Sequence, residues 1–243
     1  MSRRFNVEVL AECDSTNTLL LSRAEAGAAA GSVVVAQHQT TGRGRRGRSW
    51  LSAAGDSLTF SLLWRFPAGQ VLSGLSLAVG VAIARSLDIS GILLKWPNDV
   101  LLNGRKLAGV LVEVVPGTRS AAVVVGVGIN LRLPAAMSDE VRQSAAALDQ
   151  ADAMPPSANK LLAHLLAEIY ETLGRFAQHG FAAFRDEWLM RHAFEGQTVR
   201  LLSDFGPPVE GRCQGVDGDG ALLLGTPAGV QRIISGEVSL RKT

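Results

Sequence analysis

Cysteine is scarce: Cys13 and Cys213 are the only two in 243 residues, and neither has a C-x-x-C neighbour or a histidine at ligand spacing. Neither a disulfide framework nor a zinc site is indicated, and a reducing cytoplasm fits best. His38, His164, His179 and His192 show no metal spacing and read as structural or exposed. No Gly-Lys dipeptide occurs, which removes a phosphate-binding P-loop. The N-terminal MSRRFNVEVLAECDS lacks an apolar run long enough for a signal peptide. The most apolar window, Val71 to Ile89, is broken by Ser73, Gly74, Ser76, Gly80 and Arg85, so it reads as a buried helix and no membrane partner is expected. Net charge is also small, +2 at pH 7 despite a pI near 8.8. A whole-protein grip on nucleic acid is therefore disfavoured, and only local basic clusters remain.

With 47% hydrophobic and 19% charged residues, the chain can bury one substantial core and a small second one. Asp14-Ser15-Thr16-Asn17 supplies N-cap groups for a helix over LLLSRAEAG that Gly27 closes. SVVVAQ (32–37) and SLTFSLLWRF (57–66) predict strands. After the helix within 71–89, Asn103-Gly104 is a hairpin signal joining VLL to KLAGVLVEVV, and AAVVVGVGINL (121–131) predicts another buried strand. Residues 134–158 read as a long loop with a short helix. NKLLAHLLAEIYETLGRF and FAAFRDEWLMRHAF place apolar residues at spacings of three and four, as helices covering a sheet do. From about Glu195, TVRLL, VEGRCQGV, ALLLG and VQRIIS are short strands separated by turns such as Asp217-Gly218-Asp219-Gly220, which predicts a small β-barrel. Two domains are expected, 1–194 and 195–243.

Two segments carry chemistry. TTGRGRRGRSW, between two predicted strands, formally matches G-x-G-x-x-G at Gly42, Gly44 and Gly47. A dinucleotide fingerprint needs a helix at the glycines and an acid about twenty positions on, and no acid lies between Asp56 and Asp88. Flexible backbone and guanidinium forks can instead close around phosphate or carboxylate; a solvated basic turn and a nucleic-acid contact stay open. Without a counter-charge, its mutual repulsion and glycine entropy predict a disordered loop. Trp50 either stacks on a ligand or anchors the loop. In KWPNDVLLNGRKLAG, Pro97 forces a bend at Asn98 and Asp99, and the Asn103-Gly104 turn brings Lys106 back alongside. Gly109, Gly126 and Gly128 remove side chains where a ligand or another backbone approaches, or mark bulges.

In order and spacing, DSTN, QHQTTGRGRRGRSW, KWPNDVLLNGRKLAGVLVE, VGVGIN and GEVSL resemble biotin protein ligases along nearly the whole chain. The resemblance implies an α/β (α+β) fold: a mixed sheet flanked by helices, like class II aminoacyl-tRNA synthetases, with a small SH3-like C-terminal barrel. It implies an ATP-dependent, AMP-forming ligase: biotin and ATP with Mg2+ give biotinyl-5'-AMP, and the acyl group passes to a lysine of a biotin carboxyl carrier protein. It puts Ser15, Thr16, Gln39, Gly42 and the Arg43 backbone at the ureido end of biotin and Gly109 and Gly128 beside its ring. Arg45 and Lys106 meet the biotin carboxylate and the α-phosphate, Arg46, Arg48, Trp50 and Asn130 lie on the nucleotide side, Asp99 positions Lys106, and Asn98 is a magnesium candidate. Thr41 stands where many members carry alanine. DSTN begins at Asp14, leaving no room upstream for the winged-helix domain of some members, so no DNA partner is expected; a homodimer is left open. Carboxylate attack on phosphate needs charge neutralisation and alignment, not a nucleophilic side chain, and no Ser-His-Asp set is visible. A lipoate or octanoate ligase of related fold and a basic-loop nucleic-acid module are the competing readings.

Overall fold

The computed structural model describes residues 4–115, 120–135, 137–151, 156–203, 207–234 and 238–242. In chain order its strands are β1 (Asn6–Cys13), β2 (Ser32–Gln39), β3 (Ser57–Pro67), β4 (Ile92–Lys95), β5 (Asp99–Leu102), β6 (Arg105–Val115), β7 (Ser120–Asn130), β8 (Thr198–Ser203), β9 (Val209–Val216), β10 (Leu222–Thr226), β11 (Gly229–Ile233) and β12 (Val238–Lys242). The helices are α1 (Thr16–Glu25), α2 (Leu75–Leu87), α3 (Asp139–Ser144), α4 (Ala158–His179) and α5 (Arg185–Met190). The chain divides into two compact units, Met1–Gln70 with Arg105–Ala158, and Val71–Gly104 with Asn159–Thr243.

The first unit is a mixed sheet in the order β1-β2-β3-β7-β6, parallel between β1 and β2 and antiparallel elsewhere. Register decides what shares a face. Leu63, Ser61 and Thr59 of β3 lie opposite Val124, Gly126 and Gly128 of β7, which lie opposite Glu113, Leu111 and Gly109 of β6. Side chains alternate along each strand, so these three rows point one way. At one end the face is apolar and takes α1, whose Leu20 and Ala24 pack with Val34, Leu63, Ala122 and Val124. Farther along β7 the same face reads Gly126, Gly128, Asn130. The edge strand β1 is not among the strands predicted from sequence. Asn6, Glu8 and Glu12 dilute its pattern, and Val7 and Val9 are 43% and 61% exposed, so it lacks a buried side to announce it.

In the second unit β4 and β5 pair antiparallel, Lys95 opposite Asp99, around a bend whose Trp96–Pro97 peptide is cis. Asn103 and Gly104 have φ of 50° and 79°, the left-handed pair that a two-residue hairpin turn requires. The helix predicted within 71–89 starts only at Leu75, and the predicted helix from Phe181 is a 3-10 turn, Phe181–Phe184, followed by α5. The C-terminal strands form an antiparallel sheet ordered β11-β10-β9-β8-β12. Gly236 and Glu237 of the GEVSL motif lie outside the described residues. Position 194/195, where we place a domain boundary as a proposal, falls within the range of this unit. Buried Trp96 donates through Nε1 to the Gly220 carbonyl at 3.0 Å, while Leu94 N donates to Arg191 O at 2.7 Å and Leu94 O accepts from Ala193 N at 2.9 Å. Among the described residues no helix is long and apolar enough to cross a membrane.

His192 gives this unit a pH dependence. Its imidazole is buried 4.5 Å from the Trp188 ring, with Nδ1 3.0 Å from Glu195 Oε2 and Nε2 4.0 Å from Cys213 Sγ. Burial lowers its pKa from 6.5, and Glu195 offsets only part of that; burial also pushes the Cys213 thiol up to about 12. The unfolded chain therefore binds the histidine proton at a higher pH than the folded one. Stability contributed by neutral His192 is present above pH 6.5 and is lost as pH falls toward the folded pKa, with a slope that stays below the one-proton limit of about 1.4 kcal/mol per pH unit. Urea titrations at pH 7.5, 6.5 and 5.5 are expected to show that loss in the wild type and a flatter profile in His192→Gln. Equal slopes in the two proteins would contradict the assignment.

Candidate active site

The site begins where the shared face loses its side chains. A Cβ on Gly126 would fall 2.1 Å from Asn17 Oδ1, so glycine there makes room for the Asn17 carboxamide. Asn17, in the first turn of α1, donates through Nδ2 to Glu113 Oε2 at 2.9 Å and Leu111 O at 3.3 Å, and its Oδ1 accepts from Ser61 Oγ at 2.5 Å. Ser61 Oγ lies 2.7 Å from Thr16 Oγ1, and Thr16 N donates to Gln39 Oε1 at 2.8 Å. Ser15 caps the helix, its Oγ accepting from Thr18 N at 3.5 Å. The Ser15, Thr16, Asn17, Gln39 and Ser61 side chains are buried. Buried polar groups persist only when hydrogen-bonded, and these satisfy one another in a chain from α1 to β2, β3 and β6.

The arginine segment joins β2 to β3 as a tight hairpin. Arg43 and Ser49 form an antiparallel bridge, Gly44 N donates to Arg48 O at 2.7 Å, and Trp50 N donates to Gly42 O at 2.8 Å. A 3-10 turn, Arg45–Gly47, makes the tip, with Arg46 at φ 59°. Backbone bonds close the loop, and counter-charge comes from within the chain: Arg43 Nη2 donates to Glu113 Oε1 at 2.8 Å and its Nη1 to Thr18 Oγ1 at 3.1 Å. Arg45 and Arg46 are half-buried, whereas Arg43 and Arg48 are exposed.

Trp50 brings the end of the loop onto the glycines. A Cβ on Gly128 would meet Trp50 Cε2 at 2.4 Å, and one on Gly109 would meet Lys106 Nζ at 3.3 Å and Trp50 Cζ3 at 3.6 Å. The indole and the lysine stem therefore cover both glycines, and Lys106 Nζ stands 5.7 Å from the indole centroid. Trp50 Nε1 is buried with no hydrogen-bond partner among the described residues. The Lys106 carbonyl accepts from Ala146 N at 2.8 Å and from Asn130 Nδ2 at 3.4 Å, and Asn130 Nδ2 also donates to Ala146 O at 2.9 Å. These bonds fix the start of β6 and so the root of the lysine side chain. Of the residues singled out from sequence, Ser15, Thr16, Gln39, Gly42, Arg43, Arg45, Arg46, Arg48, Trp50, Lys106, Gly109, Gly128 and Asn130 fall in the first unit. Asn98 and Asp99 belong to the second, where Lys95 Nζ donates to Asp99 Oδ2 at 3.3 Å.

Comparison of the chain with known proteins gives its family. The Biotin/lipoate A/B protein ligase family matches residues 9–130, and the Biotin protein ligase C terminal domain matches residues 195–241. The chain belongs to the biotin/lipoate A/B protein ligase family. Within that family it is a biotin ligase, an enzyme. It is 36% identical over 250 residues to the biotin--[acetyl-CoA-carboxylase] ligase of Paracoccus denitrificans, covering 95% of this chain and 98% of the relative. The bifunctional ligase/repressor BirA of Escherichia coli is 37% identical over 241 residues, 97% of this chain and 74% of the relative. The structure of the Aquifex aeolicus biotin protein ligase in complex with biotin and ATP superposes with a TM-score of 0.83 at 31% identity, over 98% of this chain and 99% of that one.

Three residues of this hydrogen-bonded network escaped the sequence reading. Asn17 reads there only as a cap, and Ser61 and Glu113 are not singled out. The signal for Ser61 was available: a hydroxyl inside SLTFSLLWRF, at a strand position between buried neighbours, needs a buried partner.

Proposed function

We propose that this biotin ligase couples biotin and MgATP to biotinyl-5'-AMP and pyrophosphate, then transfers the biotinyl group to a lysine of a biotin carboxyl carrier protein, forming an amide and releasing AMP. The observation that carries this reading is the meeting, in one unit, of the buried Thr16–Gln39 cluster with the arginine hairpin and Lys106. The cluster offers hydrogen bonds to a neutral polar group such as a ureido ring, while the hairpin and Lys106 offer cations where a carboxylate and an α-phosphate must approach each other. Bringing two anions together is mainly a matter of neutralisation and alignment, which such groups supply. Arg45 and Lys106 serve the reacting carboxylate and phosphate, and Arg46, Arg48 and Asn130 the nucleotide.

Magnesium enters with the nucleotide. Among the described residues no group of three or more His, Cys, Asp and Glu side chains could hold a metal. A magnesium ion that arrives with ATP is held mainly by substrate phosphates and one or two protein oxygens, for which Asn98 is our candidate. Two free thiols fit action in the cytoplasm. The test is pyrophosphate release from MgATP with biotin, with lipoate and with neither. Release that depends on biotin alone is expected; release driven by lipoate, or independent of both, would overturn the reading.

A further inference from the structure

Glu113 reaches both halves of the site. It stands on the glycine face of β6 with its side chain 22% exposed, and its two oxygens take different partners. Oε1 accepts from Arg43 Nη2 of the loop at 2.8 Å, and Oε2 accepts from Asn17 Nδ2 of the buried cluster at 2.9 Å. A carboxylate this close to a site for anionic substrates opposes their approach, so its presence calls for a separate reason.

The donor and acceptor inventory supplies one. A carboxylate only accepts, so Asn17 must turn Nδ2 toward Glu113 and Oδ1 toward Ser61. Ser61 must then donate its single proton to Asn17, which leaves its oxygen to accept from Thr16 Oγ1 at 2.7 Å, shorter than the 3.1 Å from Thr16 Oγ1 to Gln39 Oε1. Glu113, at 2.9 Å the nearer of the two acceptors of Asn17 Nδ2, thereby sets, together with the Leu111 carbonyl at 3.3 Å, the direction of the hydrogen bonds as far as Thr16. The same carboxylate holds Arg43, which Thr18 Oγ1 grips from the other side.

We infer that Glu113 is a positioning residue whose negative charge clasps the arginine hairpin and orients the Asn17–Ser61–Thr16 cluster, so that loop and cluster are set by one group. The kinetic arm of the test rests on the function proposed above; the proteolytic arm does not. Glu113→Gln keeps the size and removes the charge. It is expected to raise tryptic cleavage after Arg46 and Arg48, read by mass spectrometry, about tenfold, the loss of one charge-assisted hydrogen bond. In biotin-dependent pyrophosphate release it should raise the KM for biotin about tenfold and that for ATP less than about twofold, and Glu113→Asp should recover part of both losses. Arg43→Met, at a side chain 44% exposed, should reproduce the cleavage increase, and it carries the test if Glu113→Gln does not fold. Cleavage at the wild-type rate in the folded variant, or equal rises in both KM values, would overturn the inference. A wild type that releases no pyrophosphate with biotin would sink the proposed function, yet the cleavage ratios would still decide the clasp.

Discussion

Lys106→Met is expected to slow formation of the acyl-adenylate by about two to three orders of magnitude, the usual cost of removing one preorganised charge donor from a transition state. Methionine keeps most of the apolar stem that lies against Gly109 and the Trp50 indole, so packing on the glycine floor survives. The backbone is spared as well, because the Lys106 carbonyl still accepts from Ala146 N and Asn130 Nδ2. Only the ammonium is lost. Biotin binding should fall much less than the rate, since the buried Thr16–Gln39 cluster is untouched. Single-turnover pyrophosphate release, with biotin affinity measured separately, checks the split. A variant that forms adenylate at the wild-type rate would remove Lys106 from the chemistry.

Trp96→Ala is expected to cost about 3–5 kcal/mol of stability in the second unit. Trp96 is 0% exposed, and its truncation would leave a cavity between the β4–β5 bend and the turn at Gly220 while removing the 3.0 Å bond to that carbonyl. Trp96→Phe fills most of the space and lacks the donor, so it should cost about 1–2 kcal/mol. Urea unfolding followed by circular dichroism separates the two. A loss below about 1 kcal/mol for alanine would mean that the bend does not depend on its partner turn.

The sequence was most readable where local chemistry and packing agree. The Asn103-Gly104 turn, the β3 and β7 strands and the strands of the C-terminal sheet up to β11 all carry turn residues or apolar runs that leave few alternatives. Ser15 caps α1 as its hydroxyl suggests, and Thr16 and Gln39 do meet. What stayed hidden depended on partners distant in the chain. β1 is held by pairing with β2, not by its own pattern. Arg43 of the arginine hairpin finds its counter-charge in Glu113, seventy residues away. Gly109 and Gly128 read equally as bulges or as ligand floor until Trp50 is seen lying on both. In each case the deciding group is supplied by register, which spacing along one strand does not reveal.

Gly126 and Asn17 share one volume, and that has a consequence for substitution. Any side chain at position 126 collides with the Asn17 oxygen at 2.1 Å, while replacing Asn17 alone strands Ser61 and one oxygen of Glu113 without their partner. Neither position can drift by itself. A change at one position therefore calls for a change at the other, and variants of Gly126 or Asn17 alone are expected to lose more stability, added together, than the double variant loses.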